Sequence, residues 1–141
     1  MRNIKFRGKT LKTNQWVYGM PVETEKRCWL VSSPGTSFAD GDLMLYYIEV
    51  DPETVGQWTG LQDKNGVDIY EGDVIDIGIV PRKPRIGIVE WIKPYCSFLL
   101  HQQDPTFEDE FWGLYCSSTD NSSTAYRILG NIHDNPEMVK L

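Results

Sequence analysis

The chain has 141 residues, 40% of them hydrophobic and 12% aromatic, a composition that excludes a disordered polymer and fits one folded domain or two small units. Its formal net charge of -6 opposes general attraction to a phosphate backbone. No apolar run approaches the roughly 20 residues needed to span a bilayer as a helix.

Ile4, Lys5, Phe6 and Arg7 alternate apolar and charged, so a first strand is expected there, broken by Gly8-Lys9-Thr10. Lys12-Thr13-Asn14 reads as a turn, and the aromatic and β-branched run Trp16-Val17-Tyr18-Gly19 as a second strand. Pro21 to Lys26 is polar, and Cys28-Trp29-Leu30-Val31-Ser32 makes a third strand. Residues 33–42 carry Pro34, Gly35 and Gly41 and read as a loop, after which Leu43 to Val50 forms a strand that closes an N-terminal unit. Asp51 before Pro52 pairs an N-cap acceptor with a residue already set at helical φ, which predicts one short helical turn ending at Gly56.

Asp63-Lys64-Asn65-Gly66 is a tight reversal between apolar residues, because Asn and Gly tolerate positive φ, and a hairpin is its expected product. Glu71-Gly72-Asp73 makes a second turn into the strand Val74-Ile75-Asp76-Ile77. Val74 to Val80 and Arg85 to Ile92 are alternating runs joined by Pro81-Arg82-Lys83-Pro84, whose prolines keep that connection out of a ladder. On the second run Ile86, Ile88 and Ile92 share one face and Gly87, Val89 and Trp91 the other, which suits a strand contacted on both sides. Ser97 to His101 and Phe111 to Cys116 form a further pair, Asp120-Asn121-Ser122-Ser123 a turn, and Tyr126-Arg127-Ile128-Leu129 the last strand. Asn135 before Pro136 repeats the cap logic and predicts a short helix over Glu137 to Leu141. Many short strands between Gly- and Pro-bearing turns make the chain mostly β, an antiparallel barrel or roll with one or two helical turns. A boundary near residues 60–66 divides it into an N-terminal β unit, 1–60, and a C-terminal barrel, 61–141.

Three blocks carry a family resemblance: Arg2-Asn3-Ile4-Lys5-Phe6-Arg7-Gly8 at the start, Thr54 to Leu61 with Asp63-Lys64-Asn65-Gly66 and Ile69 to Val74 in the middle, and Ile128 to Glu137 at the end. Together they resemble the YopX family of phage and prophage proteins. The resemblance implies a mostly β protein whose C-terminal part is an SH3-like barrel, which assembles with itself and has no established activity or catalytic residues to carry across.

The chemistry-bearing residues support a non-enzymatic reading. Cys28, Cys96 and Cys116 are odd in number and widely spaced, which suits neither a disulfide framework nor a zinc site, so buried free thiols are expected. Asp63-x-Asn65-Gly66-x-Asp68 is similar to the opening of a calcium loop, but a ligand is missing where Val67 stands and no closing Glu follows, so it is read as a hairpin turn and no metal or cofactor is expected. Glu71 and Asp73 are paired carboxylates with Asp76 close behind; in a Glu-Gly-Asp turn both are expected to be solvated, with Asp73 accepting backbone hydrogen bonds. An enzyme would use Asp73 with Glu71 or with His101 or His133, or a cysteine with either histidine, yet no nucleophile and base stand at motif spacing. Gly56-x-x-x-Gly60 lacks the Lys and Ser or Thr of a phosphate loop.

Arg82-Lys83-Pro84-Arg85 is the basic cluster. An SH3-like barrel binding nucleic acid would place Arg82, Lys83 and Arg85 on phosphates and an aromatic such as Trp91 or Tyr95 on a base, against which stands a solvated hairpin tip. The acidic run Glu108-Asp109-Glu110 beside Phe107, Phe111 and Trp112 either meets that loop on another subunit or is a solvated face. Trp16, Trp29, Trp58, Trp91 and Trp112 are read either as core or, in part, as subunit contacts. The first residues are charged with no apolar core behind them, so a signal peptide is not expected and a bacterial cytoplasmic location is. The expected partners are further copies of the chain, a phage or host protein, or nucleic acid through the basic loop, with no membrane.

Overall fold

The structure, a computed structural model, describes residues 1–32, 45–77, 85–102, 111–114 and 126–139. The protein is mostly β, with antiparallel sheets and isolated 3-10 turns, in line with the barrel or roll expected from the sequence. The chain divides into two compact units, Met1–Gln57 and Trp58–Leu141.

The first unit contains β1 (Phe6–Lys9), β2 (Trp16–Glu23), β3 (Cys28–Ser32), β4 (Tyr46–Val50) and the opening residues of β5 (Gly56–Gln62), hydrogen-bonded in the order β4-β3-β2-β1-β5. One face of this sheet holds a small core of Cys28, Leu30 and Val50, with Phe6, Val17 and Val55 packed against it. β1 runs two residues further than expected. Gly8 does not break it, because a Cβ there would already stand 3.3 Å from Val50 and Val55, so the missing side chain is what lets the strand lie on the core. Lys9 N–H then donates to Thr54 Oγ1 at 2.8 Å, and Arg7 and Lys9 are roofed by the Trp16 ring at 4.5 and 5.4 Å.

β2 also outlasts its expected end, running through Pro21 to Glu23. Pairing with β1 stops at Gly19, so at Pro21 the missing amide costs no ladder bond on that side while β3 continues the pairing on the other. Asp51 caps the 3-10 turn Pro52–Thr54 as expected, its carboxylate accepting Glu53 N–H at 3.0 Å.

In the second unit the remainder of β5 pairs with β6 (Asp68–Tyr70), and β7 (Asp73–Asp76), β8 (Ile86–Ile92), β9 (Ser97–Gln102), β10 (Phe111–Gly113) and β11 (Arg127–Asn131) form a five-stranded sheet in the order β10-β9-β8-β7-β11. Its core is Ile69, Ile75, Ile77, Val89, Leu100 and Tyr126. Val74 and Ile88, on the other face of their strands, are buried as well, so the two-sided burial expected for the 85–92 run is found. β8 and β9 are joined by a 3-10 turn at Lys93–Tyr95 followed by Cys96 at φ 48°, a four-residue hairpin loop whose one early sign was Pro94.

At the C-terminal end the expected helix is shorter, a 3-10 turn over Pro136–Met138. Asn135 does not cap it. Its side-chain oxygen turns back to accept Asn131 N–H at 3.3 Å, and a competing local partner has displaced the cap. The 33–42 loop, the 78–84 connection, the acidic 108–110 run, the 120–123 turn and Cys116 lie outside the described residues. Among the described residues no helix is long and apolar enough to cross a membrane.

Candidate functional site

The middle and end blocks of the sequence meet in the second unit. Asp63 is buried and its carboxylate is fully engaged: Oδ1 accepts the N–H groups of Asn65 at 2.8 Å and Val67 at 3.0 Å, and Oδ2 accepts Ile128 N–H at 3.2 Å. Lys64 N–H adds a bond to Tyr126 O at 2.9 Å. One side chain therefore closes the hairpin turn and holds β11 to it, 65 residues away in sequence. Of the oxygens that looked like the start of a cation loop, those of Asp63 are spent on the backbone and Asp68 Oδ1 accepts from Gln62 Nε2 at 3.0 Å.

Upstream, β5 bulges between Trp58 and Gln62 at Gly60, whose φ is 90°. Thr59 Oγ1 donates to Ile69 O at 2.9 Å and accepts Leu61 N–H at 3.2 Å, while Trp58 Nε1 donates to Leu61 O at 3.0 Å. The Trp-Thr-Gly-Leu segment is a set of partners for the main chain that the bulge frees.

The Glu71-Gly72-Asp73 turn is built the same way. Gly72 has φ 84°, its N–H donates to Val89 O at 2.8 Å and its carbonyl accepts Ile132 N–H at 2.9 Å. Asp73 is buried, contrary to the solvated side chain expected of it, and it accepts Tyr70 N–H at 2.8 Å. A backbone role for Asp73 was expected; its burial accompanies the pairing of β7 with β11, where Asn131 stands opposite it. The turn that follows β11 is organised by Asn131, which accepts the N–H groups of His133 and Asp134 at 3.0 and 2.9 Å and donates to Asp134 Oδ2 at 2.8 Å.

The residues considered for chemistry are dispersed, with one exception. His133 lies beside the Glu-Gly-Asp turn, near enough that a Cβ on Gly72 would stand 3.7 Å from Nε2. His101 instead faces Glu90, Nδ1 to Oε1 3.3 Å, with its ring tilted against Phe111. Asp76 Oδ2 accepts from Arg127 at 3.1 Å. Of the basic cluster, Arg82 and Lys83 lie outside the described residues. Arg85 is half-buried with its guanidinium over the Trp112 ring at 5.1 Å. Cys28 is buried as expected, but Cys96 is exposed, because the hairpin tip that carries it projects from the sheet. None of the five tryptophans is fully buried, and Trp91 is exposed with its edge against Phe98. Among the described residues no group of three or more His, Cys, Asp and Glu side chains could hold a metal ion. Gln102, which the sequence did not single out, is buried with both amide atoms unpaired.

The feature that sequence reading passed over lies in the first unit. The face of its sheet opposite the core carries Tyr18, Met20, Val22 and Tyr47, each 47–65% exposed, with Trp29 and Val31 half-buried between them. The register aligns Met20, Val31 and Tyr47 in one row across β2, β3 and β4, and Val22, Trp29 and Glu49 in the next. Alternation in β2 was its available signal. Exposed apolar patches on this scale mark interaction surfaces.

A family model described as YopX protein matches residues 5–140. The chain belongs to the YopX family. This YopX chain is similar in fold to the crystal structure of protein EF1440 from Enterococcus faecalis, with 22% identity over 99% of this chain and 100% of that one and a TM-score of 0.59. No curated protein matches it.

Proposed function

We propose that this YopX protein is a phage- or prophage-encoded accessory protein of the bacterial cytoplasm that assembles with itself and acts by binding rather than by catalysis. The observation that carries the reading is the exposed apolar face of the first unit, formed by Tyr18, Met20, Val22 and Tyr47 on a regular sheet. Aromatic and aliphatic side chains held rigidly on a sheet lose little entropy when covered, which makes such a face suited to association. Support also comes from the family blocks, where Asp63, Asp73 and Asn131 each accept backbone hydrogen bonds. Light scattering on the full chain at micromolar concentration tests the assembly: a mass above that of one chain is expected, and a strict monomer overturns it. The phage assignment is checked by where the gene lies and when it is transcribed, expected to be with phage genes.

A further inference from the structure

We infer that the outer edge of β4, residues 45–49, is where a second copy of this chain pairs, strand to strand and antiparallel, about a two-fold axis at Tyr47. The inference rests on the self-assembly reading above and assigns the surface that performs it.

Among the described residues the edge is open in hydrogen-bonding terms up to the Val50–Thr10 bridge. On one side β4 pairs with β3 along its whole length, Cys28 with Val50 through Ser32 with Tyr46. On the other side its described partner is a single bridge from Val50 to Thr10, reinforced by Asp51 N–H donating to Lys9 O at 2.8 Å. Main-chain groups two residues apart point to the same side of a strand, so Glu49 and Tyr47 direct their N–H and C=O away from β3, as Asp51 does. Leu45, Tyr46, Tyr47 and Ile48 are 36–65% exposed along that edge. Unprotected edges of this kind template pairing with another strand, and proteins that stay monomeric blunt them with Lys, Pro, bulges or short strands. β4 has none of these. The other outer strands do: β6 and β10 are three residues each, and β11 is bulged between Ile128 and Gly130 and covered by the bonds from Asp63 and Lys64.

A second copy fits this edge by register and charge. With the axis at Tyr47, Tyr47 faces its counterpart, Tyr46 faces Ile48, and Leu45 faces Glu49, so the single charge on the strand never meets a like charge. Glu49 is already partnered by Arg27 at 3.5 Å within its own copy. The same pairing extends the Met20-Val31-Tyr47 row across the axis into the matching row of the partner, making one continuous apolar stripe. The isologous arrangement closes on itself, so it yields a discrete pair, which can itself be a building block of a larger closed assembly.

The test uses the full chain, sedimentation velocity and two edge variants. Tyr47→Pro removes an amide that β3 does not use and is tolerated in an edge strand; Tyr47→Lys adds an edge charge without touching the backbone. Each is expected to halve the mass of the assembled species while the far-ultraviolet circular dichroism stays that of the wild type. Tyr47→Cys is expected to give a covalent pair on oxidation, since directly opposed residues in a hydrogen-bonded antiparallel pair sit about 5.5 Å apart at Cα, within disulfide reach; Thr13→Cys is the control that stays uncoupled. If the wild type assembles and both Tyr47→Pro and Tyr47→Lys leave its mass unchanged, the β4 assignment is wrong and self-assembly stands. A wild type that is monomeric throughout removes both.

Discussion

Burial pushes the Cys28 thiol up from its ordinary value of 9.0, and the negative charge of Glu23 adds to the shift. The folded chain therefore keeps this proton at a pH where the unfolded chain releases it. The resulting stability is intact below pH 9.0 and declines as the pH rises from there toward the raised value. Unfolding titrations of wild type and Cys28→Ala should diverge above that point, with the wild type falling more steeply. Mapping of thiols modified in the native protein should find Cys96 labelled first and Cys28 only on unfolding; equal rates would contradict the burial. Gln102 calls for the opposite kind of change. An unpaired buried amide costs about 1–3 kcal/mol, so Gln102→Met, similar in shape and without the polar atoms, should raise the free energy of unfolding measured in urea by an amount in that range. A drop of the same size would mean the amide has a partner after all. Neither residue was legible in full from sequence: a cysteine's spacing excluded disulfides and zinc, while whether each thiol is covered depended on Cys96 falling at a hairpin tip.

At the scale of elements, local chemistry was readable and long-range chemistry was not. Cys28–Ser32, the Asp51-Pro52 cap and the Asn65-Gly66 hairpin follow from residues within a few positions of one another, and the structure has them. The ends of β1 and β2 fall short in the sequence because Gly8 reads as a break and the stretch from Pro21 to Lys26 as a polar connection. Glycine against a core and proline past the end of β1 both stay in the strand, but that depends on Val50, Val55 and where β1 stops, which local pattern does not reveal. Asp63 shows the same limit. Its bonds to Asn65 and Val67 are what an Asx turn predicts, whereas the bond to Ile128 crosses the unit. Asp63→Ala would remove the buried, charged acceptor of three backbone hydrogen bonds and is expected to destabilise the protein by about 2–4 kcal/mol in denaturant unfolding. Hydrogen exchange should show Ile128 losing protection together with Asn65 and Val67; loss at the hairpin alone would show that β11 is held by other means.

For the whole molecule, composition and pattern were enough for the fold class, since a mostly β chain of antiparallel sheets follows from short alternating runs and their turns. The candidate surface was less accessible, because an apolar row such as Met20-Val31-Tyr47 exists only once three strands are in register. The forces assigned to it predict how it responds to salt. Main-chain hydrogen bonds and apolar contacts with one charge on the edge should hold as sodium chloride is raised, and sedimentation should show the same assembled mass at low and moderate salt. Nucleic-acid binding through Arg82, Lys83 and Arg85 would behave oppositely, weakening steeply with salt in filter binding. Should the assembly itself dissolve with added salt, charge pairing and not the strand edge would be holding it.

The clasp between Asp63 and Ile128 also sets an order of events at the ribosome. The carboxylate emerges 65 residues before the amide it will hold, and Asp76 emerges 51 residues before Arg127. Throughout that interval β7 has β8 on one flank and nothing yet made for the other. Non-local pairing of this kind slows folding, and a nascent strand with a bare flank is open to foreign segments. Completion of the second unit is thus timed by translation, with the middle of the chain waiting in a half-built state for its closing strand to arrive.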